Sequence, residues 1–83
     1  MNVDLITPDR ILFTGKAKLI QLPGKDGLFE LLVNHAPILS SLKEGTVKVI
    51  TYENQNFYFK ITGGVVECNS NKVIVLANNG EAL

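Results

Sequence analysis

Two stretches of strict alternation between apolar and polar residues dominate the chain. Over residues 46–52, Val47, Val49 and Thr51 share one face while Lys48, Ile50 and Tyr52 share the other. Over residues 57–62, Phe57, Phe59 and Ile61 alternate with Tyr58, Lys60 and Thr62. A period of two marks strands with one buried face. The polar segment Glu53-Asn54-Gln55-Asn56 between them predicts a hairpin turn. A second pair follows. Val65, Val66 and Cys68 make a short strand, and residues 73–77 make another, rich in β-branched side chains. Asn69-Ser70-Asn71 joins them as a turn, and Gly63-Gly64 ahead of them predicts a bulge or a sharp bend.

The N-terminal half is less regular. Val3 and Leu5 alternate with Asn2 and Asp4, and Thr7-Pro8-Asp9-Arg10 reads as a turn. Residues 11–14 and 17–22 read as strands divided by Gly15, residues 23–27 as a loop, and residues 28–33 as a further strand. The segment from Asn34 to Leu42 admits two readings. Pro37 suits an early helical position with Gly45 as the terminator, and it equally suits the edge of a short strand. Many short strands at regular spacing predict an all-β sandwich or barrel.

Composition narrows the function classes. The 83 residues suffice for one domain with a thin core. Eight basic residues balance eight acidic ones without runs of like charge, which argues against a nucleic-acid partner. No apolar run approaches the ~20 residues that span a bilayer, and Met1-Asn2-Val3-Asp4 lacks the features of a secretory signal. The single cysteine requires no oxidising compartment, so a cytosolic location is the default.

Candidate chemistry is sparse. One cysteine and one histidine fall short of a zinc set, and no phosphate-binding or dinucleotide glycine motif is present, so no cofactor and no metal is expected. His35 could act as a base toward Ser40, Ser41 or Cys68, but a loop histidine bonded to a carbonyl is the commoner case by about ten to one. Cys68 among valines reads as a small core hydrophobe. Thr62-Gly63-Gly64 leads into a strand rather than a helix, so its glycines read as structural rather than as an anion cradle. The six aromatics lack a basic groove beside them and read as core rather than as a base-stacking platform.

Four segments in one register resemble the epsilon subunit of F-type ATP synthases. They are Phe13-Thr14-Gly15; Gly27 with Asn34-His35-Ala36-Pro37-Ile38-Leu39 and Leu42-Lys43-Glu44-Gly45-Thr46-Val47; Ile61-Thr62-Gly63-Gly64-Val65-Val66-Glu67; and Asn71-Lys72-Val73-Ile74-Val75-Leu76-Ala77. The resemblance implies a ten-stranded β-sandwich of two mostly antiparallel sheets over residues 1–78, with 79–83 as a short tail. It would make residues 38–42 a strand. It implies a non-catalytic rotor part, clamped between the gamma subunit and the c ring at the cytoplasmic face of a bacterial inner membrane, peripheral and without a span of its own.

By similarity, Thr7, His35, Ser40 and Leu42 would face gamma, and Pro23, Gly24, Lys25, Asp26, Gly27 and Leu28 would form the loop near the c ring. Glu30, Val33 and Leu28 depart from the family, which usually has glycine, proline and an acidic residue there. The family continues into a helical hairpin that can restrain ATP hydrolysis. This chain ends at Leu83, so that restraint is not expected of a naturally short or a cut member. An apolar patch is expected to stay exposed, with Ile38, Leu39 and Leu42 as its candidates. The competing readings are a stand-alone β-barrel that binds a small molecule or an oligonucleotide, and a small hydrolase built on His35.

Overall fold

A computed structural model describes all 83 residues. They form ten strands and no helix: β1 Asn2–Thr7, β2 Arg10–Lys16, β3 Leu19–Gly24, β4 Gly27–Leu32, β5 Ile38–Leu42, β6 Gly45–Ile50, β7 Asn56–Ile61, β8 Gly64–Asn69, β9 Lys72–Ala77 and β10 Gly80–Ala82. The all-β class and the ten strands agree with expectation, and the ambiguous segment resolves as the strand β5. Every pair is antiparallel except β1 with β9, which run parallel.

The two separate sheets that the resemblance implies are not clearly separate here: the strands form one continuous ladder. Its order is β10-β7-β6-β3-β5-β8-β9-β1-β2, with β4 on the other edge of β3. β3 is the reason. Leu19–Gln21 of this strand pair with β6, while Gly24 bridges to Leu42 of β5. The strand therefore belongs to both halves. Pro23 lies between these two partners, where no ladder bond needs its missing N–H. The two ends of the ladder come close without pairing. The ring of Phe13 on β2 lies 5.6 Å from that of Phe57 and 6.1 Å from that of Phe59, both on β7. The result is a nearly closed, barrel-like mixed sheet.

Alternation sets which residues fill it. Val47, Val49 and Thr51 are buried, as their period requires, and Phe59 and Ile61 join them. Val3 and Leu5 of β1, Val66 and Cys68 of β8, and Val73 and Val75 of β9 come from the other half into the same cluster. A bulge in β2 breaks the alternation there. Leu5 opposes Phe13 and Ile6 opposes Ile11, which leaves Leu12 unpaired. Leu12 and Phe13 then both pack on the core, and Ile11 is turned outward.

Two segments differ from their sequence reading. The loop expected over residues 23–27 shrinks to the turn at Lys25 and Asp26, because β3 runs to Gly24 and β4 starts at Gly27. The tail expected from residue 79 carries β10, whose Gly80, Glu81 and Ala82 oppose Ile61, Lys60 and Phe59.

Candidate functional site

No catalytic constellation assembles. His35 is exposed, its ring nitrogen Nδ1 sits 2.7 Å from the Ala36 carbonyl, and its amide donates to the Leu32 carbonyl at 3.0 Å. The Ser40 hydroxyl donates to the Ser41 carbonyl at 3.3 Å instead of meeting the imidazole. Cys68 is buried, and burial pushes its thiol above the ordinary value, away from nucleophilic use. No three of the His, Cys, Asp and Glu side chains converge as metal ligands would. The backbone at Thr62 and Gly63 is already engaged, since the Thr62 amide donates to the Asn79 carbonyl at 3.1 Å and the Gly63 carbonyl accepts from Asn78 at 2.9 Å. It offers no anion cradle. Of the six aromatics read as core, Phe59 is core and Phe13 and Phe29 pack against it, but Tyr52, Phe57 and Tyr58 are exposed, because Tyr52 lies in the turn after β6, Phe57 near the start of β7 and Tyr58 on its outward side.

What the molecule does present is an apolar band on the outer side of one half of the ladder. Register builds it strand by strand. Val65 on β8 opposes Leu76 on β9, Leu76 opposes Ile6 on β1, and Ile6 opposes Ile11 on β2. With strands about 4.8 Å apart, four of them make a band roughly 15 Å wide. Leu76 is 50% exposed and Ile11 63%. Ser41 on β5 continues the row opposite Val65, and Leu39, two residues along β5, is 75% exposed at its corner. Contiguous apolar surface of this kind marks an interaction face. The neighbouring row is mixed: Leu39, Glu67, Ile74, Asp4 and Thr14 oppose one another in turn, and Asp4 lies 3.8 Å from the Lys72 ammonium.

A cavity of about 660 Å³ opens where β1, β5, β8 and β9 end together, and Thr7, Leu42, Gly64, Val65 and Leu76 are among its walls. Thr7 and Leu42 therefore meet at one end of the face. Neither projects from it, being 4% and 7% exposed. Of the apolar candidates on β5, Leu39 projects, Leu42 is core, and Ile38 packs against the core. Ser40 is half-buried midway along β5, and His35 lies beyond the opposite end of that strand. Thr7, Ser40 and Leu42 all lie on the inner side of the ladder, Ser40 opposite buried Val66, so the outer face gathers none of the three, and His35 stands at its far margin. Val65, Leu76, Ile6 and Ile11, which carry most of the band, were missed in the sequence. For Val65, Leu76 and Ile6 the outward positions were encoded in alternation with buried Val66, Val75 and Leu5; that of Ile11 was not, because the bulge in β2 breaks the alternation.

The expected ring-facing loop divides in two. Pro23 and Gly24 are buried inside β3, so they form no loop surface; Lys25, Asp26 and Leu28 are exposed at and beside the turn, and Gly27 is half-buried. This hairpin tip is tied to β5 by the Lys25 amide, which donates to the Ser41 carbonyl at 3.1 Å. It therefore lies at the same end of the molecule as Thr7 and Leu42.

The family model for the ATP synthase delta/epsilon chain β-sandwich domain matches residues 1–82. The chain belongs to this family. It is 36% identical over 78 residues to the ATP synthase epsilon chain of Chlorobium limicola, covering 94% of this chain and 89% of the relative. Its fold matches a chain of the Euglena gracilis mitochondrial ATP synthase with a TM-score of 0.90 at 18% identity, over 96% of this chain and 51% of that one. A second match, with a TM-score of 0.80 at 19% identity, is a chain of the central stalk and c ring of the Tetrahymena thermophila mitochondrial ATP synthase, over 95% of this chain and 63% of that one. Epsilon chains are non-catalytic subunits of that complex, in keeping with a site whose chemistry is surface rather than reaction.

Proposed function

We propose that this domain is a rotor-side coupling piece of an F-type ATP synthase driven by protons or sodium ions, joining the gamma subunit to the c ring. The observation that carries the proposal is the outward apolar band of Val65, Leu76, Ile6 and Ile11, bordered by Leu39. This band is the gamma-facing surface. Thr7 and Leu42 wall the cavity at one end, Ser40 lies behind the band's margin on the inner side of β5, and His35 stands at the other margin. The hairpin tip of Lys25, Asp26, Gly27 and Leu28 faces the polar ends of the c ring. Pro23 and Gly24 act there as its buried footing.

Both halves of the ladder contribute to one core; we read them as the two layers of a sandwich sharing β3. None of the ten elements is a helix, and no helix is long and apolar enough to cross a membrane. As a part of that rotor, the domain would sit at the cytoplasmic face of the bacterial inner membrane, peripheral through its complex. Restraint of ATP hydrolysis, which the family assigns to a helical hairpin, is no part of the proposal for these residues.

Rotation demands a joint that does not slip. An apolar face excludes water and fits its partner by shape, and densely packed sheets deform little under load. Cysteine crosslinking in the assembled enzyme tests both contacts. The buried native thiol of Cys68 leaves the background low. Leu39→Cys is expected to crosslink to gamma and Asp26→Cys to the c subunit. Leu76→Asp is expected to weaken gamma binding by about tenfold or more, since it buries an unpaired charge. Adducts of Leu39→Cys with stator subunits and none with gamma would overturn the assignment.

A further inference from the structure

The segment that carries His35 has no ladder of its own, because residues 35–37 lie between β4 and β5 outside any strand. Its local bonds are the His35 amide to the Leu32 carbonyl and the imidazole against the Ala36 carbonyl. Its long-range hydrogen bonds go to one residue. The Asn34 amide donates to Asn71 Oδ1 at 2.6 Å, and Asn71 Nδ2 donates back to Asn34 Oδ1 at 2.9 Å. Asn71 sits in the turn between β8 and β9, and its own carbonyl accepts from the Asn2 amide at 2.9 Å. The β4–β5 connection, the β8–β9 turn and the start of β1 are thereby pinned at one point.

Both asparagines are at positive φ, 68° for Asn34 and 61° for Asn71. That conformation costs an ordinary side chain of order 1 kcal/mol, and asparagine tolerates it better than most. A turn alone would be satisfied by glycine at either position. Glycine could not supply the reciprocal amide pair, which satisfies a donor and an acceptor on each side.

We infer that Asn71 is a positioning residue for the His35 segment. It touches no partner itself. Through Asn34 it fixes where the chain leaves β4, and so where His35, Ala36 and Pro37 stand beside the Leu39 corner of the band. The effect on gamma rests on the coupling role proposed above; the effect on the loop does not.

Two variants of the full chain separate the possibilities. Asn71→Gly keeps the positive φ at no steric cost and removes both side-chain bonds. Asn71→Asp keeps the acceptor for the Asn34 amide and loses the returning donor. The first readout is amide hydrogen exchange by NMR. In Asn71→Gly, exchange at Asn34 and His35 is expected to rise by about tenfold while the β6 and β7 amides stay unchanged. In Asn71→Asp, Asn34 is expected to stay within about threefold of the parent, a rescue that a general loss of stability would not give. The second readout is affinity for purified gamma, expected to fall by about threefold to tenfold in Asn71→Gly. Unchanged exchange at Asn34 in Asn71→Gly would overturn the positioning role, whatever gamma does. Raised exchange with unaltered affinity would leave the positioning role standing and overturn the gamma-facing reading of His35.

Discussion

Thr7 shows how one hydroxyl decides what a position is for. Its Oγ1 donates to Asp9 Oδ1 at 2.7 Å and lies 3.2 Å from the Arg10 carbonyl. The first bond, aided by the backbone of Asp9 and by the Arg10 charge, holds the Asp9 carboxyl below its ordinary value. The resemblance implied a gamma contact at Thr7, yet its side chain is spent on closing the turn between β1 and β2. Its burial was legible in the sequence, because Thr7 continues the inward series of Val3 and Leu5; its hydrogen bond was not, because it needs the geometry of the turn. A carboxyl with a depressed pKa favours folding above the ordinary carboxylate value, and that contribution is lost as pH falls through the lower folded value. Thr7→Val keeps the shape and removes the donor. The Asp9 pKa, followed by NMR titration, is expected to rise toward the ordinary carboxylate value in this variant, and the acid-side pH dependence from Asp9 to shrink. An Asp9 titration that does not move would assign the depression to the backbone and to Arg10 instead.

Among the elements, β8 depends most on a single residue. The bend from β7 into β8 has positive φ at both glycines, 128° at Gly63 and 149° at Gly64. A Cβ on Gly64 would collide with the Leu76 carbonyl and come within 2.9 Å of the Ala77 Cα, so β9 would have to move. Gly27 has a comparable φ of 135° but open space around it. Gly64→Ala is therefore expected to cost roughly 3 kcal/mol or more, and Gly27→Ala about 1–2 kcal/mol, in chemical denaturation. Equal costs would mean that strain alone matters and the collision relaxes freely. The double glycine announced this bend in the sequence, as alternation announced β6 and β7. Other elements were less legible for identifiable reasons. Pro23 and Gly24 look like loop residues, and they are strand residues because β3 changes partner there. The stretch from Asn34 to Leu42 has a length and a proline position that fit helix and strand alike. Three residues, Gly80 to Ala82, carry no period at all, and β10 exists through backbone pairing to β7.

At the scale of the whole molecule, the ladder is open between β2 and β10 and along the outer edge of β4, which pairs with β3 alone. The seam between β2 and β10 is held by side chains: the Phe13 ring against Phe57 and Phe59, and the Arg10 guanidinium donating to the Gly80 carbonyl at 2.7 Å. No alternation pattern could reveal this, since closure follows from β3 pairing with β6 at one end and meeting β5 at the other. The band lies mostly on β8, β9 and β1, which are hydrogen-bonded to neighbours on both edges, and only Ile11 stands on the strand that borders the seam. Force entering at the hairpin tip would pass through the bridge from Gly24 to Leu42 into β5 and then into β8, without crossing the seam. Stability and partner binding should therefore separate. Phe13→Ala removes the aromatic contacts and most of the apolar burial at the seam, a loss of about 2–4 kcal/mol. Amide exchange is expected to accelerate first in β2 and β10, with β8 and β9 following the global unfolding free energy. Affinity for gamma, measured well below the melting transition, is expected to stay within about threefold, because the band strands keep their ladders. A large loss of affinity from this substitution would mean that the closed form of the barrel, rather than the band's own sheet, is what gamma grips.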